Sequence, residues 1–180
     1  MKILLKNLIK SKLKTLNELR KIREERGGQI MVLASGCFDL IHANHIEYLA
    51  WSKGLGNYLV VAINSDNSVK RLKGVGRPIN SLKNRVKLLV VNSFVDYIIP
   101  FSELNTIKIL RALKPNITSH GNDYVLDKKN ISKGRRAMNQ KERRCVESYG
   151  GEICFSKGTK KLSTTNMIKL IKNKVKSIKN

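Results

Sequence analysis

The sequence predicts an α/β fold, a mostly parallel sheet covered by helices on both faces, and three observations carry that expectation. Five short segments read as strands along the 180 residues, at 30–34, 58–64, 97–101, 116–120 and 151–156, the first of them apolar and partly β-branched. Between them, apolar residues fall at helical spacing, at about 45–53, 81–91, 104–113, 135–149 and 164–178. No internal repeat or long low-complexity linker interrupts the alternation. Alternating strands and helices imply right-handed crossovers and parallel strands buried on both sides. A chain of this length suits one core rather than two.

The elements follow in order. Residues 1–11 are free of acid and amphipathic, with Ile3, Leu4, Leu8 and Ile9 roughly on one side and Lys2, Lys6 and Lys10 among the others. Such a segment suits a helix docked on the body, or else an organellar targeting or membrane-surface helix. The absence of arginine before Arg20 weighs against a transit peptide. Leu16, Leu19 and Ile22 mark a second helix to Arg26, stopped by Gly27-Gly28. The expected division is therefore a basic helical extension over 1–29 and a main domain over 30–180 that ends in a basic helix. Ile30 to Ala34 reads as a buried parallel strand, and Ile46, Leu49 and Ala50 give the next segment a helical period. Leu82, Val86, Leu89 and Val90 do the same for residues 81–91. Ser163, Thr164 and Thr165 stand where hydroxyls cap the start of the last helix.

The loop Gly36-Cys37-Phe38-Asp39-Leu40-Ile41-His42-Ala43-Asn44-His45 joins that first strand to its helix and carries two histidines three apart. A helix start presents unpaired N–H groups and the positive end of its dipole, so anionic phosphates are its natural ligand. Imidazoles placed there can donate hydrogen bonds to a phosphoryl group as charge builds up on it. In a parallel sheet the ligand lies beyond the carboxyl ends of the strands, where strand order switches. The loops at 36–45, 64–74, 121–124 and 163–165 all fall after a strand or at a helix start, so one cleft can collect them.

The same loop resembles the G-C-F-D-x-x-H-x-G-H motif of the cytidylyltransferase-like nucleotidyltransferases. Further blocks follow in order: Asn64-Ser65-Asp66, Ser68 to Gly74, Arg77-Pro78, Asn84-Arg85, Val95-Asp96, Gly121 to Tyr124 and Ser163-Thr164-Thr165. The chain resembles the heptose 1-phosphate adenylyltransferase domain of ADP-heptose synthase, over roughly Leu16 to Ile171. The resemblance implies a Rossmann-like nucleotidyltransferase fold of the HxGH type. It implies transfer of AMP from ATP, less favourably of CMP from CTP, to a sugar 1-phosphate or related phosphate ester, with Mg2+ accompanying the triphosphate and a homodimer as one arrangement. The chain departs from the family pattern at Ser35 in place of Asn, Asn44 in place of Gly, His120 in place of Lys and Asn122 in place of Gly.

Within that reading His42, His45 and Lys73 are the catalytic candidates, the imidazoles on the triphosphate and the lysine as a point charge over it. Gly36, Cys37, Phe38, Asp39, Asn44, Asp66, Arg85, Asp123, Ser163, Thr164 and Thr165 are the nucleotide-binding candidates. Arg85 is open between a phosphate contact and a surface ion pair, and Asp66 and Asp123 between ligand contacts and ordinary turn roles. No protein metal ligands are expected.

Charge supplies a competing reading. Thirty-six Lys and Arg against 13 acidic residues give +23, and 25 of those cations lie in 1–29, 128–145 and 157–180. Clustered cations gain free energy by releasing counterions from phosphates, so RNA is the second candidate partner. The protein would then be a basic component of a ribonucleoprotein particle such as a ribosome, built on an impaired nucleotidyltransferase fold. Lysine enrichment from genome bias is the plainer explanation. Cys37, Cys145 and Cys154 show no metal or disulfide spacing, which suits a reducing compartment. A cytoplasmic location is expected, with an organellar matrix as the alternative.

Overall fold

The computed structural model describes residues 2–126, 136–157 and 164–178. Five strands form one parallel sheet in the order β3-β2-β1-β4-β7: β1 Met31–Gly36, β2 Tyr58–Asn64, β3 Tyr97–Phe101, β4 Ile117–His120 and β7 Glu152–Phe155. Residue alternation builds the core on both faces. Met31 and Leu33 of β1 with Tyr58, Val60 and Ala62 of β2 point into one layer, and Val32, Ala34, Leu59, Val61 and Ile63 into the other. A strand with both faces buried has no polar face to reveal, which is why these segments read as continuous apolar runs.

The first layer is closed by α2 Leu16–Glu25, α6 Ile107–Leu113 and α7 Gln140–Glu147, through Leu19, Leu110, Leu113 and Val146. Thr15 and Glu18 cap α2 reciprocally, each side chain bonding the other's backbone N–H. Leu19 is wholly buried, worth roughly 2 kcal/mol. The opposite layer holds α3 Ala43–Lys53, α5 Leu82–Val90 and α1 Lys2–Lys12. Leu5, Leu8 and Ile9 seat α1 on that layer, and Leu13 pairs with Ile98 on edge strand β3, where Lys14 N–H donates to the Ile98 carbonyl at 2.9 Å. The first helix is thus docked on the body, although Ile3 and Leu4, expected in its apolar stripe, are exposed.

Three further elements differ from expectation. Residues 66–73, expected within a loop over 64–74, form helix α4 (Asp66–Lys73), capped by Ser65 and stopped at Gly74 with φ 89°. In α3 the buried face is Leu49 and Ser52 rather than Ile46, because the Ser52 hydroxyl donates to Ser119 Oγ of β4 at 2.9 Å. Tyr124–Val125 and Arg136–Ala137 pair as a small parallel ribbon, β5 and β6. The last helix is α8, Thr164–Ile178. Among the described residues no helix is long and apolar enough to cross a membrane.

Candidate active site

Strand β1 has β2 on one side and β4 on the other, and the chain builds outward from it in both directions, so strand order switches between β1 and β4. A cleft of about 1230 Å³ opens there at the carboxyl ends of the strands. Ser35 to Asp39, His42, Asn44 and His45 form one wall, His120 to Tyr124 and Phe155 the other. Lys73, at the end of α4, and Thr164 and Thr165, at the start of α8, also line it.

His42 is the N-cap residue of α3, extended at φ −144° and ψ 172°, and its carbonyl accepts the His45 N–H at 2.9 Å. One helical turn thereby brings the two imidazoles to 3.9 Å between ring centres. Phe38 packs beside them, 5.3 Å from the His45 ring and buried. It sits at φ 47°, an uncommon conformation for a bulky residue. Glycine at 36 makes room for it, since a β-carbon there would stand 3.1 Å from the Phe38 ring. Both Nδ1 atoms are buried without a hydrogen-bond partner. Burial, reinforced by His42, pushes the His45 pKa down to about 4, and burial lowers that of His42 as well. At neutral pH the pair are uncharged imidazoles, each with one N–H to offer.

The motif loop is held by two braces. The Asp39 carboxylate, 1% exposed, accepts from Arg77 Nε at 2.5 Å and from the Ile79 and Asn80 N–H groups at 2.8 Å each. Burial acts to raise its pKa, but the backbone N–H groups and the Arg77 guanidinium outweigh burial and hold it below the usual range. The second brace is Arg85. It is fully buried on α5 and donates to the carbonyls of Cys37 at 2.6 Å and Asn80 at 3.0 Å, and to Asp66 Oδ1 at 2.8 Å.

Arg85, left open between a phosphate contact and an ion pair, and Asp66, left open between a ligand contact and a turn role, do not line the cleft, and they pair with each other. Helix α4 is the cause, because its first residue, Asp66, lies against α5 and also accepts the Leu82 N–H at 2.8 Å. Gly36, Cys37, Phe38, Asp39, Asn44, Asp123, Thr164 and Thr165 do come together around the two histidines and Lys73. Thr164 Oγ1 donates to the Leu40 carbonyl at 3.3 Å, tying the start of α8 to the motif loop. Ser163 lies outside the described residues. The Cys37 thiol is pushed up by burial, with Lys73, Arg85 and Arg77 opposing, which suits a packing group rather than a nucleophile.

Sequence reasoning missed several lining residues. Tyr48 stands one turn beyond His45 on α3, a spacing that was readable, and its hydroxyl donates to the Ser119 carbonyl at 2.8 Å. Glu142 reaches the cleft from α7 and accepts from both the N–H and the hydroxyl of Thr106 at 2.6 Å. Nothing local in the sequence joins residues 36 apart.

A five-stranded parallel sheet with this cleft at its switch point is the Rossmann-like nucleotidyltransferase fold. The chain belongs to the cytidylyltransferase-like family, whose profile matches residues 33–170. It is 39% identical over 165 residues to the bifunctional protein HldE of Campylobacter concisus, covering 90% of this chain and 31% of that protein. With the bifunctional protein HldE of Helicobacter pylori it shares 50% identity over 107 residues, 59% of this chain and 23% of the other. The chain thus spans less than a third of these curated relatives. Among solved structures, the lipopolysaccharide core biosynthesis protein of Thermoplasma volcanium superposes with a TM-score of 0.56 at 27% identity, covering 73% of this chain and all of the other. The pantoate-beta-alanine ligase of Francisella tularensis, at 14% identity and a TM-score of 0.55 over 87% of this chain and 72% of the other, shares the fold alone.

Proposed function

We propose that the protein is an enzyme that transfers AMP from ATP, and CMP from CTP less readily, to a sugar 1-phosphate of the heptose type, with release of pyrophosphate. The observation that carries this reading is the pair of neutral imidazoles 3.9 Å apart at a helix start, within a cleft wide enough for a nucleotide and a sugar phosphate. An oxygen of the acceptor phosphate attacks the α-phosphorus, and the bond from that phosphorus to the bridging oxygen of the β-phosphate breaks. Both partners are already phosphorylated, so no covalent protein intermediate is needed and catalysis rests on positioning and charge stabilisation. His42 and His45 donate to the triphosphate as charge develops on the departing pyrophosphate. Lys73 supplies a positive charge beside them, and the N–H groups at the start of α8 with the Thr165 hydroxyl hold a further phosphate, while the Thr164 hydroxyl holds the motif loop.

Magnesium fits this site as a companion of the nucleotide. Among the described residues no group of three His, Cys, Asp or Glu is placed to hold a metal, and Asp123 is a carboxylate on the cleft wall. Magnesium is commonly held by substrate phosphates, water and one or two carboxylates, and it would screen the triphosphate charge. Residues 30–180 form the catalytic unit in this reading, with 1–29 a basic extension. The RNA-binding and homodimer readings rest on charge and resemblance alone, and the cleft favours the enzyme. Calorimetry with ATP and CTP in magnesium tests the proposal: micromolar ATP binding with weaker CTP binding is expected, and binding of neither nucleotide would overturn it.

A further inference from the structure

His120 is the last residue of β4 and lines the same cleft as the histidine pair. Its register partner on β7 is Phe155, whose ring stacks on the imidazole at 5.6 Å and 26°, while the Tyr124 ring lies 5.5 Å away. Two aromatic neighbours therefore fix the ring. The residue is 8% exposed and lines the cleft, yet its Nε2 is buried with no hydrogen-bond partner. A polar atom left so within a folded protein costs about 1–3 kcal/mol unless something arrives to satisfy it. Burial also lowers its pKa to about 4 against the opposing pull of Asp123, so the ring is neutral under ordinary conditions.

We propose that His120 is a specificity-determining residue that reads a hydroxyl on the sugar ring of a bound substrate through Nε2. The inference rests on the nucleotidyltransferase reading above and names a contact within its cleft. A hydroxyl both donates and accepts, so it satisfies Nε2 in either tautomer of the neutral ring. A phosphate oxygen could pair only with the protonated-nitrogen tautomer and would gain no charge from it. The related pattern places lysine here, a flexible cation suited to an anionic group; this chain has a rigid, uncharged ring suited to an alcohol. A pre-positioned ring loses little freedom on binding, so the contact discriminates efficiently. The two sources of such a hydroxyl are the acceptor sugar and the ribose of the nucleotide.

Three substitutions and two measurements test this. ATP affinity is measured by calorimetry without acceptor, and the KM for a heptose 1-phosphate is measured at saturating ATP, for wild type and for His120→Gln, His120→Ala and His120→Lys. Circular dichroism and melting temperature establish that each variant is folded. His120→Ala is expected to weaken one of the two constants by about ten-fold, with a far smaller change in kcat. His120→Gln, which keeps a neutral polar group nearby, should recover a good part of the loss, and His120→Lys should not. A rise in acceptor KM assigns the hydroxyl to the sugar phosphate, and a loss of ATP affinity assigns it to the ribose. Constants that all stay within two-fold, or a lysine variant that matches wild type, would overturn the proposal. Wild-type protein that neither binds nucleotide nor turns over would instead remove the functional reading itself, and this contact with it.

Discussion

Arg85 Nη2 stands 2.8 Å from Asp66 Oδ1, and the same guanidinium reaches back to the Cys37 carbonyl at 2.6 Å, so one fully buried side chain joins α4, α5 and the motif loop. Its planar fork is the reason an arginine stands there, since three acceptors in different directions need three separate N–H groups. The residue acts on the site through the backbone it holds. Arg85→Ala should therefore destabilise the fold by about 2–5 kcal/mol, because it empties a fully buried position and strands the Cys37 and Asn80 carbonyls. Asp66→Asn keeps the Oδ1 acceptor at a half-exposed position and should lose less than half as much. Urea denaturation of both variants measures the difference, and equal losses would contradict the role given to Arg85.

Asp39 braces the same loop from its other side. Asp39→Asn keeps the shape but removes the charge that holds Arg77 and replaces one acceptor oxygen with a donor. A loss of about 2–3 kcal/mol is expected, the range for hydrogen bonds to charged groups. Nucleotide affinity, measured by calorimetry on the folded variant, should fall with it, because the 77–80 segment loses its anchor to the motif loop.

Much of this architecture was legible in the chain, and the failures have physical causes. All five strands of the sheet could be read, most plainly β1 and β2, where burial on both faces leaves near-continuous apolar runs. Helix α4 escaped because it spans two turns, buries only Ser68 and Val69, and is otherwise polar apart from the exposed Leu72. The phosphate-type loop was readable from His42 and His45 at a helix start. Arg85 was not, because its partners lie 5, 19 and 48 residues away, and a cation on a helix looks alike whether it faces solvent or a buried carbonyl. His120 stood out only as a departure from the family pattern; its orphaned nitrogen needed coordinates.

Stability should fall on mild acidification. His45 and His120 each have a folded pKa of about 4 against an ordinary 6.5, so between those values the unfolded chain binds more protons. The stabilising contribution of each neutral ring is complete above about pH 6.5 and is lost as pH falls toward 4. For His120 it is on the order of 3 kcal/mol. Asp39, whose pKa is depressed, adds a further loss below its ordinary 3.8. Melting temperature recorded from pH 8 to 4 should decline through this window, and His120→Gln should flatten the decline.

Asn44 lies within the first turn of α3 and lines the cleft where the related pattern has glycine. Asn44→Gly should cost about 0.5 kcal/mol or less in helix stability while keeping or raising turnover, because the backbone becomes open to closer approach by the nucleotide. Steady-state kinetics beside a thermal melt separates the two effects.

Pyrophosphate release from ATP in the presence of a heptose 1-phosphate and magnesium, compared between wild type and His45→Ala, bears most directly on the chemistry assigned to the cleft. Wild type should release pyrophosphate only when both substrates are present. His45→Ala should stay folded and turn over roughly 100- to 1,000-fold more slowly, the usual loss when one positioned transition-state donor is removed. Turnover in the folded variant equal to that of wild type would contradict the role of the imidazole pair.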